Sequence, residues 1–541
     1  MRNIAPSASD NGESLVVDFH TSSVLGKYPA KQHALRVVEQ LDVKEGLIYL
    51  PGAVKALLED SDMPVPFRQR RYFFYLSGVN EADCHLTYDI QQDELILWLP
   101  PIDPVRVVWV GRGSTVEEAC DKYDIDESHY SRDLSKYIEE WIKSNPGKMY
   151  LLHASQSARP SNVHLLDKKR VDFGKLPRAM DYCRARKDPH EVGLIRKACN
   201  ISSAAHTAVL RNLLHYTNEA QVEACFLEHC VAEDAKNQAY EIIAGSGSNG
   251  AILHYVKNDE DFGDSQFMVL DAGCEWDCYA SDITRTIPLS GRWPSEEAKQ
   301  IYDLVQTMQS SCITALRPGR RFLDLYFVAH SIAIRGLLKL GILHNGTFAE
   351  IWKTGTSRAF FPHGLGHHMG LEVHDVSERP ITAARQNAEM AVPRPSFSGA
   401  KLERMSTTSD ADLAEIDMDD LTKIEQFGLT PELCLAPCDS ESNVLEEGMV
   451  VTVEPGIANT KRRSYFNRFA LEQLYLSNPS HSRYIDREML ERYMPVGGVR
   501  IEDDVLITRD HFEVLTTAPK GEQALKIIRG EKPCREGVTL R

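Results

Sequence analysis

Three apolar runs in this chain end on acids. Residues 267–273 read FMVLDAG and run into Asp271; 449–456 read MVVTVEPG and end on Glu454 at a Pro-Gly turn. Residues 497–508 read GGVRIEDDVLIT and place Arg500 and Glu502 on one strand face. A fourth acid, Asp282, follows Asp271 by eleven residues in SDITRTIP. Apolar runs of this length are buried strands, and a carboxylate at the end of a buried strand is costly unless it is paired or bound to a cation. The AGCEWDCYAS segment between the two aspartates is long enough for a turn and the start of a second strand. The pair could therefore face each other across a hairpin, with Thr284 and Thr286 on the strand face of Asp282.

Imidazoles complete the pattern. PHGLGHHMGLEVHD (362–375) holds His363, His367 and His374. Its glycines disfavour a helix, so this is not the helical zinc arrangement of two histidines four apart; they let backbone approach a site closely. Each piece alone has a bland reading. A strand-end Asp caps a turn, a Glu before Pro-Gly is a loop residue, a buried His is a satisfied core group, and Glu502 pairs with Arg500. Together they supply four carboxylates and several imidazoles in one domain. Oxygen-rich ligation with one imidazole suits hard or borderline divalent cations, and two such ions balance four carboxylates. Without ions the acids would repel and take up protons.

The rest of the chain frames this set. At 541 residues there is room for two to four domains. Residues 1–24 are polar and read as a flexible N-terminus. Helical spacing at 28–41 and 135–144 alternates with strand-like runs at 46–52, 70–78, 93–101 and 105–111, an α/β unit spanning 25–186. From KDPHEVGLIRK onward, with Asp188 or Pro189 as a start signal and Glu191 in the first turn, the pattern is α+β over 187–541. Helices are expected at 187–214, 219–233, 295–316 and 322–341, a strand-rich stretch at 239–290, and several short strands towards the C-terminus. Residues 377–444 lack periodicity and read as a solvated insertion.

The net charge of −17 argues against a nucleic-acid face. No run reaches the length of a membrane span, and residues 1–20 lack a signal-peptide core. Twelve cysteines, none in a C-x-x-C pair, read as isolated buried thiols, including Cys274, Cys278, Cys434 and Cys438. A cytoplasmic location is the expectation.

The motif set resembles the pita-bread dimetal metallopeptidases, and within them the Xaa-Pro aminopeptidase and prolidase branch. Leu253-His254-Tyr255, Ser281 to Thr286, the His-Gly-Leu-Gly-His run, Glu372-Val373-His374-Asp375, Val-Glu-Pro-Gly and Val-Arg-Ile-Glu-Asp carry the resemblance. PFRQRRYFFYLSG (66–78) is similar to the family's creatinase-like first domain. The resemblance implies a creatinase-like α/β domain followed by an α+β pita-bread catalytic domain. It implies two divalent cations, most commonly manganese: Asp271 chelates one, Asp282 and Glu502 bridge both, and His367 and Glu454 complete the other's shell. It implies a hydroxide bridging the ions as nucleophile, with Glu454 accepting its proton. His363 and His374 hold substrate and stabilise the tetrahedral intermediate, His254 is a further substrate-side histidine, and Arg500 orients Glu502 and its neighbours. The implied substrates are peptides with proline at position two, and the implied assembly is a homodimer. A dipeptidase needs an arginine for the substrate carboxylate shortly before the Glu454 strand. Residues 405–446 hold Lys423 as their sole cation, which favours the aminopeptidase, although Arg394 or Arg404 could serve. An inactive binding module would lack ligands, and a creatine-type amidinohydrolase would need no metal; the filled acidic set speaks against both.

Overall fold

Strand β1 (Leu47–Pro51) is buried at every position, and the first layer of the molecule grows from it. It pairs antiparallel with β2 (His85–Asp89), which pairs with β3 (Glu94–Leu99). β4 (Glu127–Tyr130), β5 (Met149–Tyr150) and β6 (Val171–Asp172) add parallel edges, giving the order β4-β3-β2-β1-β5-β6. The computed structural model describes residues 26–158, 168–376, 444–459 and 471–531. The N-terminal tail over 1–24 and the insertion over 377–444, Val444 excepted, lie outside the described residues, as do Arg394, Arg404, Lys423, Cys434 and Cys438. Helices α1 (Ala30–Leu41), α2 (Arg71–Ser77), α3 (Pro104–Val110), α4 (Val116–Lys122), α5 (Leu134–Ser144) and α6 (Lys175–Ala185) complete this half.

Two strand expectations are corrected. Residues 70–78 form α2, which buries six of its seven residues and stops at Gly78, whose φ of 65° suits a left-handed cap. An aromatic run buried all round has no period to distinguish helix from strand. Residues 105–111 form α3, opened by Asp103, whose side chain accepts from the Val105 N–H, and by Pro104 at the first position. This start signal outweighs the strand preference of four valines. α3 buries none of its residues, and Val108 and Trp109 are 84% and 83% exposed.

α7 (Pro189–Asn212) begins where the sequence indicates. The Asp188 carboxylate accepts from the N–H groups of His190 and Glu191, and Glu191 returns a bond to the Asp188 N–H. α8 (Glu219–Ala232) packs beside it. Nine short strands follow: β7 (Asn237–Gln238), β8 (Ile243–Ser246), β9 (Phe267–Asp271), β10 (Cys274–Trp276), β11 (Tyr279–Ala280), β12 (Thr284–Pro288), β13 (Val450–Val453), β14 (Gly456–Asn459) and β15 (Gly497–Arg500). β16 (Asp503–Ile507) and β17 (Phe512–Val514) complete the set. They form the antiparallel groups β12-β9-β8, β11-β10-β7, β13-β16-β17 and β14-β15. α7 and α8 share a core with β8 and β9. α9 (Glu296–Thr314), α10 (Phe322–Lys339) and α11 (Phe348–Thr354) share one with β13, β15 and β16. The C-terminal region is not strands alone. Arg487–Tyr493 and Gly521–Ile528 are helices, the latter burying Ala524, Leu525 and Ile528 at helical spacing. Among the described residues no helix is long and apolar enough to cross a membrane.

Candidate active site

β9 and β12 pair so that Thr284 lies opposite Asp271, the last rung of the ladder. The chain between them turns back as the β10–β11 hairpin. Its neck closes at Gly273, where a Cβ would stand 1.9 Å from the Ser281 carbonyl oxygen. That closure brings Asp271 and Asp282 together: the Tyr240 hydroxyl lies 2.6 Å from an oxygen of each. One O–H proton is shared by two buried carboxylates, which otherwise rely on charged neighbours.

β13 delivers the next two groups. The glycine-rich run lies along it, with Thr452 N–H donating to the His367 carbonyl and Glu454 N–H to the Leu365 carbonyl. A Cβ at Gly366 would stand 2.1 Å from the Thr452 carbonyl oxygen, so the approach requires glycine. His367 Nδ1 faces the His368 carbonyl at 3.1 Å, and Nε2 lies 3.4 Å from both Asp282 and Glu454. With Nδ1 donating to the carbonyl, Nε2 is the nitrogen available to an ion. Glu502 enters between β15 and β16, and Thr284 Oγ1 donates to its Oε2 at 2.7 Å. Its Oε1 is buried without a hydrogen-bond partner. Ligand atoms of Asp282, His367 and Glu502 all lie within 4.8 Å of one another. Five ligand-type side chains and an orphaned carboxylate oxygen fit a divalent cation site.

The electrostatics agree. Burial raises Glu502 well above the carboxylate range, and neighbouring Asp282, Glu454 and Asp271 add to the shift. Burial also lifts Glu454, to about 7, against the pull of His367 and Arg500. For His367, burial works downward, but Asp282 and Glu454 prevail and hold it at about 9. In a buried cluster of like charges, protons occupy the place of cations.

The remaining expected residues are placed as follows. The direct guanidinium bond of Arg500 goes to Asp271, and it reaches Glu502 only through Thr284, which lies 3.2 Å from Arg500 Nε. Of Glu502 and its neighbours, the expected partners of Arg500, Asp271 takes the direct bond, because Arg500 closes β15 and Glu502 lies beyond the strand end. His363 is buried with Nδ1 facing the Gly364 carbonyl at 2.8 Å; desolvation and Arg500 depress it to about 3, so the ring is neutral. The His374 ring sits edge-on to His367 at 4.3 Å. His254 stands on an exposed turn and shares no hydrogen bond or ion pair with the acidic cluster among the described residues. Cys274 and Cys278 are free and buried.

Two residues were not anticipated. Tyr240 precedes β8 in a segment with no marker of its own. Asp504 was in view in the Glu-Asp-Asp run, and the two-residue period already sets it on the face of Glu502. Its Oδ2 accepts from the Asp282 N–H at 3.0 Å and from the Cys199 thiol at 3.1 Å.

The model of metallopeptidase family M24 matches residues 193–409 and 416–509, which together make up more than half the chain. The chain belongs to metallopeptidase family M24. The model of the aminopeptidase P N-terminal domain matches residues 30–150. A probable Xaa-Pro aminopeptidase of Pyrenophora tritici-repentis is 52% identical over 98% of this chain and 76% of its own length. One of Aspergillus clavatus is 48% identical over 95% of this chain and 96% of its own. The fold of Escherichia coli aminopeptidase P in complex with substrate superposes with a TM-score of 0.70, at 24% identity, over 93% of this chain and 99% of that one. This M24 chain therefore carries an aminopeptidase-P-type first domain followed by a pita-bread domain.

Proposed function

We propose that the protein is an Xaa-Pro aminopeptidase, which hydrolyses the bond between an N-terminal residue and a penultimate proline. The observation that carries the reading is the buried cluster of Asp271, Asp282, His367, Glu454 and Glu502, whose donors fall short of its acceptors. The names of the relatives supply the proline preference. A bond to proline is a tertiary amide without N–H, so a peptidase that docks substrate through that N–H handles it poorly.

Asp271, Asp282, His367, Glu454 and Glu502 would hold two divalent ions, and we assign manganese to them. When bound, the ions lower the pKa of a water and polarise the scissile carbonyl. We assign Glu454 the role of accepting the nucleophile's proton. We assign neutral His363, held through Nδ1 at the Gly364 carbonyl, to the substrate, and His374, whose ring packs edge-on to His367, to the same role. Arg500 fixes Asp271, and Thr284 passes that order to Glu502. We keep His254 as a substrate contact.

We further read the protein as a cytoplasmic homodimer without a nucleic-acid ligand. Nine described cysteines are free, which supports a reducing compartment. The exposed apolar surface of α3 supports a second copy as partner. The net charge of −17 speaks against polyanions.

The test is hydrolysis of an Xaa-Pro-Xaa tripeptide beside a Gly-Pro dipeptide, with manganese present and after chelation. Tripeptide turnover that requires the ion is expected. Cleavage of the dipeptide alone would overturn the aminopeptidase assignment.

A further inference from the structure

The two loops that carry the cluster are anionic where they face the first domain. Glu275 lies on the β10–β11 hairpin, between Asp271 and Asp282. Glu372 and Asp375 flank His374 on the loop that also carries His367. The loops touch directly through the Ala280 N–H and the Gly370 carbonyl, 2.8 Å apart. Among the described residues, every ion-pair partner of these three acids comes from positions 68 to 187.

Arg68 spans both loops. Its Nη2 donates to Glu275 at 2.9 Å and to Glu372 at 2.8 Å, and its Nη1 donates to Glu372 at 3.2 Å. Arg71 duplicates the bridge, bonding Glu275 and lying 3.4 Å from Glu372. Asp375 is gripped by Arg184 at 2.7 Å and Lys187 at 3.1 Å. The Arg184 guanidinium is fixed over the Tyr72 ring, 4.5 Å from its centroid. Glu275 and Asp375 have side chains 3% and 1% exposed. A buried carboxylate deprived of its cation retains its desolvation cost, so the loop bearing it must move towards water.

We propose that Arg68, Arg71, Arg184 and Lys187 are positioning residues for hydrolysis: the first domain and hinge supply the cations that hold the two ligand-bearing loops in mutual register. The first domain is then part of the catalytic apparatus, although it contributes no group to the cluster. The geometry gives the bridge a direction of failure. Losing Arg68 removes the bridge made by three hydrogen bonds and leaves Arg71 and the Ala280–Gly370 hydrogen bond to hold the loops, while each loop stays folded on its own strands, so the spacing of Asp282 and His367 loosens first.

This inference rests on the proposed function, and the experiment separates the two. The full chain is compared with Arg68→Gln, Glu372→Gln and the double variant. Manganese affinity of the metal-stripped proteins is measured by calorimetry, and kcat and KM on an Xaa-Pro-Xaa tripeptide are measured in parallel. Arg68 is half-exposed, so its loss leaves the fold intact, which thermal unfolding checks. The expected result is about tenfold lower kcat and weaker manganese binding for each single variant, with KM within about twofold, on the scale by which slight misplacement slows catalysis. The double variant should be no worse than the poorer single one. Arg68→Lys should restore part of the loss, since a point charge replaces the fork. Single variants with wild-type manganese affinity and kcat, or losses that multiply in the double variant, would overturn the proposal. A wild-type protein that binds manganese but cleaves no Xaa-Pro bond would sink the assigned function and leave the affinity comparison standing.

Discussion

Tyr240 has one proton between two acids, and that is a testable liability. Tyr240→Phe removes the donor and leaves Asp271 and Asp282 with less support, so metal affinity should fall by about 10- to 100-fold, the usual cost of losing a group that orients ligands. Titration of the stripped variant with manganese checks this. The acids also predict a pH dependence. Glu454 and Glu502 are raised and His367 is held at about 9, so in the metal-free protein all three keep protons that ligation must displace. Manganese affinity should therefore rise with pH through neutrality, with net proton release detectable by calorimetry in buffers of different ionisation enthalpy. The sign for stability follows. Groups raised on folding stabilise below their unfolded pKa and lose that contribution as pH climbs through the folded value. The metal-free protein should unfold at lower temperature near pH 8 than near pH 6, and manganese should narrow the gap; a Tm that rises with pH without metal would refute this. Lys187, Arg184 and Asp375 show the opposite case. Burial opposes the Asp375 charge, but the two cations outweigh it and hold the carboxyl below its ordinary range.

At the scale of elements, the hairpin neck is the part least tolerant of change. Gly273→Ala sets a methyl against the Ser281 backbone, and overpacking of this kind costs about 1–3 kcal/mol. The variant should lose activity further than stability, because the neck sets the distance between Asp271 and Asp282; a matched fall in Tm alone would count against that. The strands and their acids were legible in the sequence, since an apolar run that stops on a carboxylate reports burial and charge together. The long helices were legible through capping, as at Asp188 and Glu191. α2 and α3 were not. One is buried on all sides and so carries no period; the other is exposed on all sides, and its valines signalled a strand that no partner was there to complete. The bond from Arg500 to Asp271 could not be read either, because the two are 229 positions apart and meet only after β9 and β15 pack together.

At the scale of the molecule, α3 leaves Val105, Val108, Trp109 and Val110 in water. If the proposed dimer forms through this surface, light scattering should give twice the chain mass for the wild type and the chain mass for Trp109→Glu; a wild type of single-chain mass, or an unchanged mass in the variant, would refute that. The two halves are also electrically unequal partners, since the acids of the ligand loops answer to cations from residues 68–187. The approach at Gly366 extends furthest in its consequence. Where the methyl of any other residue would stand, the Thr452 oxygen already does. A descendant of this chain that keeps the His367 loop against β13 must keep glycine there, so at that position, as at the Gly273 neck, inheritance is reduced to a hydrogen atom.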